Sequence, residues 1–113
     1  MKAVVVYESM YGNTHLIADA IADGLRVHGE TIVVPVGDAD AGAIADADVI
    51  VVGGPTHAHG MTHANTRKGA IEAAEKPGSD LVLDEDADAE GPGLREWFAS
   101  LDQLPTRAAA FAM

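Results

Sequence analysis

Three short runs, "KAVVVY" (2–7), "ETIVVPV" (30–36) and "DVIVVGG" (48–54), are β-branched or otherwise apolar along most of their length instead of at every second position. A strand with one wet face alternates apolar and polar residues. A run that is apolar nearly throughout is covered on both faces, which is the condition of a parallel sheet. Parallel neighbours need a crossover between them, and the sequence supplies one. From Thr14 to His28 the period lengthens: Ile17, Ala20, Ile21, Gly24 and Leu25 recur at three- and four-residue steps, with Asp19, Asp23 and Arg26 between them. Gly29 follows as a helix stop. A weaker helical stretch, 38–47, separates the second and third runs, and Pro35 suits a strand edge or end. The order β-α-β-α-β predicts parallel strands joined by right-handed crossovers, an α/β fold.

Beyond residue 60 the pattern is less regular. "TRKGAIEAAEK" (66–76) is helical in composition, whereas "PGSDLVLDEDADAEGPG" (77–93) carries six acidic residues from Asp80 to Glu90 and reads as a solvated linker. Pro92 suits a helix start, and Leu94, Trp97, Phe98 and Leu101 form one apolar stripe for core packing. "RAAAFAM" (107–113) reads as a fourth strand. All of this fits one domain over residues 1–113.

Charge and cysteine narrow the function. With 18 acidic and 7 basic side chains the net charge is -11. Such a surface repels nucleic acid and anionic membranes and suits basic partners or a salt-rich cell. No cysteine is present, which excludes disulfides, thiol catalysis and cysteine-ligated metals. The N-terminal apolar run is too short for a signal peptide and no segment approaches membrane-spanning length, so a cytoplasmic protein is expected.

The most informative turn is "YESMYGNTH" (7–15), which leads from the first strand into the first helix. In open α/β sheets ligands bind beyond the carboxyl ends of strands. A helix starting near Thr14 aims free N–H groups and the positive end of its dipole there. Ser9, Tyr11, Asn13 and Thr14 add side-chain donors, and Gly12 permits a tight bend, so the turn can cradle a phosphate without a cation. The plain alternative is a polar loop and helix cap. Neither G-x-x-x-x-G-K-[ST] nor G-x-G-x-x-G occurs there, and the third strand ends in Gly53-Gly54-Pro55, where a receiver domain would carry an aspartate.

"YESMYGNTHLIADAIADGL" followed by "DVIVVGGPTHAHGM" resembles the flavodoxin-like superfamily, whose members bind flavin mononucleotide (FMN). Ser9, Tyr11, Gly12 and Thr14 match its phosphate loop, [ST]-x-[TY]-G-x-T, with Met10 and Asn13 at the free positions. Tyr11 is closer to the quinone-reductase branch than to the small electron carriers. The resemblance implies that Ser9 to Thr14 surround the phosphate and that Pro55, Thr56, His57, Ala58, His59 and Gly60 flank the flavin ring. The family often stacks an aromatic residue in that second loop; this chain has His57 and His59. It also implies an open parallel sheet in the order 2-1-3-4 with helices on both faces, the fifth strand and the closing helices missing.

The function so implied is electron transfer through a non-covalent flavin, with a redox partner protein or a small acceptor such as a quinone. No side chain is assigned as an acid or base catalyst. FMN-dependent quinone reduction is one alternative, and a flavin-free interaction module that keeps the fold is another. His57, His59 and His63 lack a cysteine or a persuasive carboxylate nearby and read as a polar loop instead of a metal site. His15 reads as a surface position. With no covering C-terminal helix and a bare fourth strand, self-association is expected.

Overall fold

The computed structural model describes residues 1–39, 41–55, 61–62, 64–79, 83–84, 93–101 and 107–112, apart from the side chains of Ala41 and Ala43. Strand β1 (Lys2–Tyr7) leads into helix α1 (Asn13–Arg26), then β2 (Glu30–Pro35), a 3₁₀ turn (Val36–Asp38) and the short α2 (Ala41–Ala45). The chain continues through β3 (Val49–Gly54), α3 (Ala64–Glu75), α4 (Leu94–Ser100) and β4 (Arg107–Ala112). The four strands make one parallel sheet in the order β2-β1-β3-β4. This is the architecture anticipated from the apolar runs and the resemblance.

Alternation along the strands divides the core in two. Val4, Val6, Ile50 and Val52 point to one face, where Val36, Ala39, Ile44, Leu94 and Trp97 cover them. Val5, Tyr7 and Val51 point to the other, against Ala18 and Ala22 of α1. Ala3 to Val6 are 0 % exposed, as a central strand buried on both faces requires. Burying each valine side chain stabilises the fold by roughly 1.5–3 kcal/mol. The indole N–H of Trp97 donates to the Ala39 carbonyl at 2.6 Å, so α4 is fixed in rotation as well as buried.

Two expectations need correction. The buried face of α1 runs through Thr14, Ala18 and Ala22, with Ile21 and Leu25 at its margin, and not through Ile17 and Ala20. Ile17 is 38 % exposed and Leu16 68 %. Small residues beneath the helix let its axis approach the sheet, and a stripe chosen by hydrophobicity alone overlooks them. The anticipated linker is also not wholly solvated, because the Asp84 side chain is only 4 % exposed. Pro92 and most of 77–93 beyond Ser79 lie outside the described residues. Among those described, no helix is long and apolar enough to cross a membrane.

Sheet order positions the site. From β1 the chain moves outward to β2, whereas β3 and β4 extend the sheet in the opposite direction. The order therefore reverses between β1 and β3, where open sheets leave a crevice at their carboxyl ends. Tyr7 lies opposite Gly53 in that register. The segments after β1 and β3 thus begin side by side.

Candidate functional site

The β1 pairing extends one residue past the strand: the Glu8 N–H donates to the Gly53 carbonyl at 2.9 Å. Beyond it the chain turns sharply. The Gly12 N–H donates to Ser9 Oγ at 3.0 Å, and Gly12 adopts φ 95° and ψ -15°, a left-handed conformation in which a Cβ is strained. The Gly12 carbonyl then accepts from the Leu16 N–H, closing the first turn of α1 at 3.0 Å. The N-cap residue, Gly12, has no side chain with which to cap the helix, and the first turn contains no acidic residue. The early N–H groups and the positive end of the helix dipole at this position favour an anion.

The predicted phosphate residues play unequal parts in this turn. Ser9, Met10 and Thr14 are buried, at 4 %, 2 % and 3 % exposure, so Met10 packs while its neighbours shape the bend. Asn13 is exposed at the mouth. The Tyr11 hydroxyl donates to the Ala70 carbonyl at 2.7 Å, which ties the turn to α3. Its backbone remains in the loop. Of the second predicted segment, Pro55 follows β3 directly, and Thr56, His57, Ala58, His59 and Gly60 lie outside the described residues, as does His63. An open apolar pocket of about 280 Å³ lies beside Pro55, lined also by Val52, Met61, Leu94, Phe98 and Ala110.

His15 is partly enclosed, which corrects the surface reading. Its ring stacks on Tyr7 at 4.3 Å between centroids and 18° between planes. Nδ1 lies 2.9 Å from Asp84 Oδ2 and Nε2 lies 3.7 Å from Asp19 Oδ2. The Asp84 N–H donates to the Met10 carbonyl at 2.7 Å, so residues 83–84 are fastened over the turn.

Behind the turn is a buried polar network that sequence reasoning missed. The Glu8 carboxylate accepts from Thr62 Oγ1 at 2.5 Å and from the Leu94 N–H, at the start of α4, at 2.7 Å. Thr62 Oγ1 accepts in turn from Arg67 Nη1 at 2.8 Å, and Arg67 Nη2 donates to Glu96 at 2.5 Å. Arg95 donates to the Met61 carbonyl at 3.0 Å. Arg67 is 2 % exposed, and its Nε has no hydrogen-bond partner among the described residues. The hydrogen bond from Arg67 holds the Glu96 carboxyl below its ordinary range, against a smaller opposing effect of desolvation. Gly93 is required here because a Cβ would collide with the Arg67 guanidinium and the Glu8 carboxylate. Three segments distant in sequence, at Glu8, at Thr62 and Arg67, and at Leu94 to Glu96, are thereby locked behind the carboxyl ends of β1 and β3. The available signal was Glu8, a carboxylate directly after a fully buried strand, which has to find partners.

The four-stranded parallel sheet, with its order reversing between β1 and β3, defines an α/β domain of flavodoxin-like topology. The family model described as Flavodoxin matches residues 5–104, and the chain belongs to the flavodoxin family. Among solved structures it is similar to a flavodoxin from the domain Archaea, with 36% sequence identity and a TM-score of 0.50. That match covers 51% of this chain and 41% of the other, so the chain spans about two fifths of its relative's length. No curated protein matches it.

Proposed function

We propose that this chain binds FMN without a covalent bond and passes electrons through it. One observation carries the reading: the start of α1, joined to a left-handed glycine, lies at the switch point of the sheet. Flavodoxin family proteins bind FMN, and the turn suits its phosphate. The N–H groups of the first α1 turn and the hydroxyls of Ser9 and Thr14 donate to the phosphate oxygens, while Gly12 gives the backbone its curvature and Met10 packs beneath it. Asn13 and the Tyr11 backbone complete the rim. Pro55 to Gly60 flank the ring, and the apolar pocket beside Pro55 excludes water from its edge. Bound flavin supplies one- and two-electron transfer. The Glu8–Thr62–Arg67–Glu96 network fixes the end of β1 to Thr62, α3 and α4.

The electrons pass to a redox partner protein, for which the acidic surface favours a basic face, in a cytoplasmic setting. Quinone reduction on the same flavin is a second reading, favoured by the open apolar space at Pro55 and Met61. Fluorescence titration tests the assignment. FMN is expected to bind well ahead of riboflavin, which lacks the phosphate. Thr14→Ala is expected to weaken FMN alone, by about 1.5–3 kcal/mol for a lost charge-assisted hydrogen bond. Equal affinity for the two flavins would overturn the phosphate assignment.

A further inference from the structure

The first residue of the acidic run 84–90 is not spread into solvent. Its side chain is 4 % exposed and its Oδ2 lies 2.9 Å from His15 Nδ1. The same oxygen lies 3.7 Å from the position a Cβ on Gly12 would take, so the carboxylate covers the left-handed residue at the start of α1. The Asp84 N–H holds the Met10 carbonyl from the same side. A carboxylate is thus brought in from a remote segment to a helix end whose N-cap is a glycine and whose first turn has no acid of its own. Negative charge is stabilised in that place.

We propose that Asp84 is a built-in anion for the Ser9–Thr14 turn, and that a phosphate monoester enters by displacing it. The inference rests on the phosphate reading above and adds a competitor to it. A doubly charged phosphate and a buried carboxylate repel each other, and one carboxylate oxygen already lies against the residue that forms the bend. His15 retains the site in either state, since its stacking on Tyr7 and its approach to Asp19 do not depend on Asp84. The consequence is a reduced apparent affinity: ligand binds only the fraction of molecules in which the carboxylate has left. The contact also keeps the turn ordered in the empty protein.

The test is Asp84→Asn in the full chain, which preserves shape and an oxygen facing His15 while removing the charge. FMN, riboflavin and inorganic phosphate are each titrated against both proteins, with the Gly12 and Asn13 amide resonances as the readout for phosphate. The expected result is FMN binding tighter by about tenfold in the variant, of the order set by helix-end charge effects, with riboflavin unchanged. FMN affinity that is unchanged or weaker in the variant overturns the competition and leaves the flavin assignment standing. An equal gain for both flavins also overturns it, because the effect would not lie at the phosphate. Should neither protein bind FMN, the flavin reading fails and inorganic phosphate decides the inference. Amide shifts at lower phosphate concentration in Asp84→Asn support it, and shifts absent or identical in the two proteins refute it.

Discussion

Replacing Thr62 by valine removes one hydroxyl from the centre of the buried network and keeps the branched shape. Thr62 is 1 % exposed, so water cannot take the hydroxyl's place. Two bonds disappear, the donation to Glu8 at 2.5 Å and the acceptance from Arg67 at 2.8 Å. Each has a charged partner and is worth about 1.5–3 kcal/mol. Glu8 retains the Leu94 N–H and Arg67 retains Glu96, so the loss falls at the lower end of the sum, about 3 kcal/mol. Against a typical stability of about 5–15 kcal/mol this is large. Thr62→Ser makes the opposite change, retaining both bonds and deleting a methyl for about 1 kcal/mol. Urea unfolding of the two variants, compared at equal slope, separates the contributions. If valine proves no more damaging than serine, the site depends on packing and the argument for a polar lock at the end of β1 fails.

Gly93→Ala drives a methyl into the Arg67 guanidinium and the Glu8 carboxylate. A loss of about 1–3 kcal/mol is expected, as for an overpacked core, with Trp97 emission shifted to the red as α4 loosens; unaltered emission and melting would contradict the contact. Glu96 has a lowered folded-state pKa, so its contribution is complete above its ordinary value of 4.5 and is lost as pH falls through the folded value. Glu96→Gln should therefore lower stability slightly at neutral pH and flatten the acid limb by that same amount, which is small because the side chain is 43% exposed and screened by solvent; parallel acid limbs would refute this. The outer edge of β4 pairs with no strand among the described residues, and unpaired edges template association. Sedimentation should show mass rising with concentration, and a concentration-independent monomer would argue against edge pairing.

The strands were legible because burial on both faces leaves a mark at every position, as in Val4 to Val6 and Ile50 to Val52. The position of the turn between β1 and α1 was legible for a related reason: the change of period at Thr14 and the single Gly12 fix where strand becomes helix. The face of α1 was read less well. Alanine is nearly neutral on a hydrophobic scale, so Ala18 and Ala22 gave way to the more apolar Ile17, although closeness to the sheet decides which residues are buried. The partners of Glu8 left no periodic trace, because Thr62, Arg67 and Leu94 meet it only through the fold. Asp84 was misread for the opposite reason. Within a run of acids composition predicts solvation, yet one member is buried against the start of α1.

The central claim is that the turn at Ser9–Thr14 recruits a redox-active flavin. Its most direct test is the visible absorption spectrum of the purified chain after incubation with FMN and removal of unbound flavin, recorded before and after reduction with dithionite and again after readmission of air. The account predicts one flavin retained per chain, bleached on reduction and restored by oxygen, with retention lost when riboflavin replaces FMN. A protein that emerges colourless from that treatment, or that retains both flavins alike, would contradict it.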